Sequence, residues 1–75
     1  MLLEAQNDME PNHVWLVKVM ENVGGRLLLR YEGAENAAND FWLFYLHHRL
    51  HPLGWTEKHG LQMVPPPGKQ WIGTP

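Results

Sequence analysis

The residue types able to do chemistry are few in this 75-residue chain. His47, His48 and His51 lie close together, and neutral imidazoles are common zinc ligands. Successive strand residues point to opposite faces, so His47 and His48 are not expected to meet on one ion, and no metal site is expected. Asn7, Asp8 and Glu10 collect amide and carboxylate groups in one loop, either a site or an ordinary solvated turn. No nucleophile stands with a base and an orienting group: the chain has Thr56 and Thr74 but no Ser, no Cys, no glycine-rich phosphate loop and no carboxylate pair at catalytic spacing. Neither an enzyme nor a bound cofactor is expected. Trp42 and Trp55 are rings that a ligand could stack on, but buried core aromatics are the commoner role for such residues.

The elements that must position these groups belong to one small domain, whose surface outweighs its volume. Six basic and eight acidic residues give a net charge of -2, too little field to gather phosphates or an acidic membrane, so no direct nucleic-acid or membrane partner is expected. The absence of Cys suits an intracellular protein. No apolar run approaches the roughly 20 residues that span a bilayer, and Met1-Leu2-Leu3-Glu4-Ala5 lacks the basic start and long apolar middle of a signal peptide.

Leu2 to Gln6 reads as a first strand, followed by a loop through His13 that is rich in Asn, Asp and Pro. From Val14 to Met20 the pattern has period two, with Trp15, Val17 and Val19 on one face. Glu21 to Gly25 supplies a turn, and a second strand of the hairpin runs from Arg26 to Tyr31 with Leu27, Leu29 and Tyr31 facing the core. Glu32 to Asp40 is a loop with room for a helical turn. The aromatic stretch from Phe41 predicts a strand that is apolar on both faces, ended by His51-Pro52, and the rest of the core is expected to form around it. Thr56 to Gly60 reads as a short helical turn capped by Thr56 and stopped by Gly60. Leu61 to Val64 is a last short strand before Pro65-Pro66-Pro67-Gly68, and the tail from Lys69 carries Trp71 and Ile72, apolar groups that need a partner surface. Short strands punctuated by Gly and Pro, with almost no helical periodicity, indicate a small all-β barrel.

Six elements carry a resemblance: Leu3-Glu4-Ala5, Glu21 to Leu27, Leu29-Arg30-Tyr31-Glu32-Gly33, Asp40-Phe41-Trp42, His51-Pro52-Leu53-Gly54-Trp55 and Pro65-Pro66. In this order and spacing they resemble the malignant-brain-tumour (MBT) repeat, most closely an inner repeat of four-repeat Polycomb-group proteins. The resemblance implies a five-stranded SH3-like barrel related to Tudor and chromo domains, with a repeat core over residues 1–67, a tail or linker over 68–75, and a preceding helical arm that the sequence here does not include. It implies that His51-Pro52 fixes the turn into Trp55. It also implies a nuclear, repressive chromatin protein whose partners are histone tails or other chromatin proteins and sibling MBT repeats of the same chain.

Working repeats of that family hold mono- or dimethylated lysine in a narrow aromatic cage, with a carboxylate pairing to the remaining N–H. Aligned residue by residue, the cage Asp falls on Asn7 and the Asn three positions later on Glu10. One aromatic is retained as Tyr31; the other two fall on Ala34 and Asn39. A cage with one ring loses most of a cation–π contribution worth roughly 0.5 to 2 kcal/mol per contact. The repeat is therefore expected to be mainly structural or protein-interacting, with Glu10 as a replacement for the missing Asp on the alternative reading, a competent methyl-lysine binder.

Overall fold

The computed structural model describes residues 1–67, so the tail with Trp71 and Ile72 lies outside the described residues. The strands are β1 (Leu2–Gln6), β2 (His13–Val23), β3 (Arg26–Tyr31), β4 (Phe41–Phe44), β5 (Leu50–His51) and β6 (Gln62–Met63), with one short helix, α1 (Trp55–Lys58). They form one curled sheet in the order β4-β3-β2-β1-β5, antiparallel along that path, while β6 pairs in parallel with the start of β2. The all-β barrel class read from the sequence is the one observed.

β2 is the centre of this sheet. Its first half pairs with β1 and its second half with β3, and the register shifts between Val19 and Glu21. Met20 is the extra residue of that bulge, and a bulge bends a strand and increases its twist, which lets one strand serve both halves of the barrel. The alternation predicts a strand ending at Met20, yet β2 continues to Val23. Glu21, Asn22 and Val23 are exposed, so this extension needs no burial and leaves no apolar signal. The register Val23↔Arg26 reduces the turn to Gly24-Gly25, at φ +60° and +91°, values of a type I′ turn that non-glycine residues rarely adopt.

Ala5, Val17, Leu27 and Leu29 form the buried cluster, with Trp15, Val19, Tyr31, Phe41, Leu43 and Leu50 packed against it. Full burial of each Val or Leu side chain is worth about 1.5 to 3 kcal/mol. The face assigned to Trp15, Val17 and Val19, and that assigned to Leu27, Leu29 and Tyr31, are the observed core faces. The core does not form around the aromatic stretch, however: its centre is β1 to β3, and that stretch contributes only flanking contacts. β4 stops at Phe44, well short of His51, because turns closed by His47 N–H to Phe44 C=O (2.8 Å) and Leu50 N–H to His47 C=O (3.0 Å) reverse the chain. Phe41 and Leu43 face the core, whereas Trp42 is 50% exposed and Phe44 48%. β4 is thus covered on one face, not two, and Trp42 is not a core residue.

Helix α1 also departs from its expected capping. Gly54, at φ +93°, takes the N-cap position with no side-chain bond, and Thr56 lies inside the helix, buried. Gly60 does end it: at φ +66° it permits the paired bonds Gly60 N–H to Glu57 C=O (3.2 Å) and Leu61 N–H to Thr56 C=O (3.0 Å) of a Schellman stop. The last strand is shorter than predicted, Gln62–Met63. The outer face of the sheet buries Val14 and Glu4 near this segment, and its opposite end, around Arg26 and Trp42, is bare.

Candidate functional site

The loop between β3 and β4 builds a hollow against the end of β3. Tyr31 closes that strand, and a turn with Gly33 at φ +91° bonds Ala34 N–H to Tyr31 C=O at 3.0 Å. Further along, Asn36 Oδ1 accepts the Ala38 N–H (2.9 Å) and Asp40 N–H bonds Ala37 C=O (3.1 Å). The loop is then pinned to β3 by a two-pronged ion pair, Arg30 Nε to Asp40 Oδ1 (3.0 Å) and Arg30 Nη2 to Asp40 Oδ2 (2.9 Å). The bond to Asp40 raises the Arg30 pKa, so the guanidinium stays charged.

The hollow has a volume of about 290 Å³. Tyr31, Ala34 and Asn39 all line it, together with Glu35, Asn36 and Ala38 of the same loop and Pro66 and Pro67 from beyond β6. Among the described residues Tyr31 is the single aromatic ring in that lining. Two other rings touch it from the core side, Trp15 edge-on and Phe41 tilted, each at 5.1 Å between centroids. They brace Tyr31 and do not line the hollow. Burial pushes the Tyr31 hydroxyl pKa up, and the nearby charge of Arg49 opposes that rise.

Asn7 and Glu10 are not among the residues lining this hollow. The Asn7 side-chain oxygen accepts the backbone N–H groups of Met9 (2.8 Å) and Glu10 (3.3 Å), and the Glu10 carboxylate meets His13 Nδ1 at 3.2 Å. Both side chains therefore serve their own loop. Arg49 stands nearby, its Nε donating to the Gln6 carbonyl at 2.8 Å. Of the lining residues, Pro66 was legible in advance as part of the Pro65-Pro66 element; Glu35, Asn36 and Ala38 carry no signal in a polar loop.

The other candidates resolve differently. His47 and His48 lie in a turn, and their rings stack at 4.5 Å. The strand argument for keeping them apart does not apply there, because the strand has already ended at Phe44. Among the described residues no group of three His, Asp or Glu side chains is placed to hold a metal ion. His51 stacks flat on Trp55 at 3.5 Å and 3°, and His59 lies against Trp55 at 4.5 Å. Beside this stack the Glu4 carboxylate accepts the Gly54 and Thr56 N–H groups, each at 2.7 Å, and the Thr56 hydroxyl.

Comparison with known proteins places this arrangement. Residues 1–70 match the sequence pattern described as the mbt repeat. "Scm-like with four MBT domains protein 2" of Mus musculus is 45% identical over 75 residues, 99% of this chain and 8% of that protein. "Polycomb protein Sfmbt" of Drosophila melanogaster is 30% identical over 56 residues, 75% of this chain and 5% of that protein. The solved structure of the four MBT repeats of Drosophila melanogaster Sfmbt, in complex with a methyl-lysine peptide, superposes with a TM-score of 0.77 at 27% identity, covering 88% of this chain and 14% of that one. The chain spans less than a tenth of the curated relatives named here.

Proposed function

This chain belongs to the MBT repeat family, and from that premise we propose that it is a non-catalytic repeat of a multi-repeat, nuclear, repressive chromatin protein, serving mainly as structure or as a protein-interaction surface. The observation that supports this reading is the lining of the Tyr31 hollow. Cation–π holding of a methylammonium needs ring faces around it, and Ala34 and Asn39, the positions that the resemblance aligns with the family's other two rings, line the hollow without one. The two positions aligned with the family's carboxylate and amide supply no partner either, since Asn7 is an amide engaged with Met9 and Glu10, and Glu10 is engaged with His13. Arg49 adds a positive charge close enough to act on Tyr31, which disfavours a second cation.

A second reading, a competent binder of mono- or dimethyl-lysine, draws on one observation: Tyr31 and the carboxyl-bearing Glu35 line the same hollow. Titration of mono- and dimethyl-lysine peptides into the isotope-labelled chain separates the two. The structural reading expects flat spectra to millimolar peptide. Saturable shifts centred on Tyr31, Ala34 and Glu35 would replace it with the second.

A further inference from the structure

The bare end of the outer face has the features of a peptide-binding edge. β4 ends the strand path, so among the described residues no strand pairs with its far side. The register Arg26↔Phe44, Leu27↔Leu43, Leu28↔Trp42 continues to a bond from Tyr45 N–H to Gly25 C=O at 2.8 Å. Backbone groups alternate in an antiparallel ladder, so Phe41, Leu43 and Tyr45 aim theirs at β3 while Trp42 and Phe44 aim theirs outward. The Phe44 carbonyl is used by His47. Among the described residues the Trp42 N–H, the Trp42 C=O and the Phe44 N–H have no partner at the edge.

Beside that edge lies a groove of about 510 Å³, lined by Val23, Arg26, Trp42, Leu43, Phe44 and His47. Its walls are apolar and its polar groups are donors. Arg26 is exposed and makes no ion pair among the described residues. The Nδ1 of His47 accepts the Arg49 N–H at 3.1 Å, which leaves its Nε2–H as a donor. The register puts Lys18 and Arg30 on the same face, with Glu21 opposite Leu28 and Glu4 opposite Leu16 as carboxylates, while Asp40 is committed to Arg30. With Glu4 buried at the far end, the charges of the face as a whole balance, but among the described residues the one charged side chain lining the groove is Arg26, so the groove is locally positive on a chain whose net charge is -2.

We propose that the β4 edge and this groove bind an extended acidic peptide, which adds as a strand beside β4, lays an apolar side chain against Trp42 and Phe44, and brings a carboxylate to Arg26. Main-chain bonds to Trp42 and Phe44 set the register, and Arg26 selects the charge. The site is separate from the Tyr31 hollow, since Tyr31 packs on the core face and Trp42 projects from the other.

The test uses the peptide Ac-Thr-Glu-Thr-Val-Thr-Glu-Thr-NH2, which reads the same in both directions and so suits either strand polarity. Titrated into the isotope-labelled chain, it is expected to give saturable shifts at the Trp42 and Phe44 amides and the Trp42 indole. The analogue with Lys in place of Glu is expected to bind about tenfold more weakly, against the preference that the net charge of the chain alone would impose. Arg26→Gln is expected to weaken the acidic peptide about threefold to fivefold. Equal binding of the two peptides would overturn the charge selection. Undiminished binding of an analogue N-methylated on the residues facing β4 would overturn the strand addition. Shifts at Trp42 and Phe44 that follow protein concentration without peptide would instead assign the edge to a second copy of the chain.

Discussion

At the scale of single residues, Glu4 shows how much a sequence can hide. It was visible as part of Leu3-Glu4-Ala5, but nothing near it foretells a buried carboxylate, because its donors lie 50 and 52 residues downstream. Burial raises its pKa, and the Thr56 hydroxyl, the Thr56 and Gly54 N–H groups and the charge of His51 outweigh that, so the net shift is below the ordinary 4.5. Thr56→Val removes one donor and is expected to cost about 1 to 2 kcal/mol, read from urea midpoints at pH 7. Tyr31, Ala34 and Asn39, by contrast, were placed on one site from their motif positions, and they do line one hollow. Replacing Ala34 by Trp and Asn39 by Phe supplies the missing rings. If the lost walls account for weak binding, that double variant is expected to gain at least about fivefold in affinity for a dimethyl-lysine peptide. An unchanged affinity in a folded double variant would point to Asn7 or Arg49 as the obstacle.

The elements were legible wherever one face is buried and the other wet. Trp15, Val17 and Val19 of β2 and Leu27 and Leu29 of β3 carry that alternation, and their faces follow from it. It failed for Phe41 to Leu46, where apolar residues on both faces normally signal burial but here mark a half-covered edge strand and an exposed turn. The hairpin turn depends on two glycines in unequal ways. A Cβ on Gly25 would meet Tyr45 Cδ1 at 2.9 Å, in addition to the strain of φ +91°, whereas Gly24, at +60°, has open space around it. Gly24→Ala is therefore expected to cost about 1 kcal/mol and Gly25→Ala about 2 to 3 kcal/mol. The faster amide exchange of the Gly25 variant is expected to reach Tyr45, whose N–H bonds the Gly25 carbonyl. Equal costs for the two would mean that the Tyr45 contact relaxes freely.

For the whole molecule, stability rests on a small core and on charges that acid disturbs in sequence. His51 has its pKa lowered from 6.5, by burial first and then by His59, with Glu4 opposing. An unfolded chain then takes up protons at pH values where folded His51 does not, so stability is expected to be level above about pH 7 and to fall as pH drops below 6.5. Glu4, lowered from 4.5, holds its contribution above that value and loses it as pH falls through its folded pKa, adding a second decline. Urea midpoints at pH 7.5, 5.5 and 3.5 should show both stages, and His51→Gln should reduce the first while diminishing the second only in part, since Thr56 and Gly54 still hold the Glu4 pKa down. Buried apolar side chains among the described residues are few, namely Ala5, Val14, Val17, Leu27 and Leu29 with Pro66. Leu29→Ala is therefore expected to remove about 2 to 5 kcal/mol, a large share of a total near the low end of about 5 to 15 kcal/mol for a domain of this size. Trp42→Ala, in the exposed row of the edge strand, is expected to cost less than about 1 kcal/mol while abolishing the acidic-peptide shifts. A loss at Trp42 comparable to that at Leu29 would mean that the outer face already has a cover.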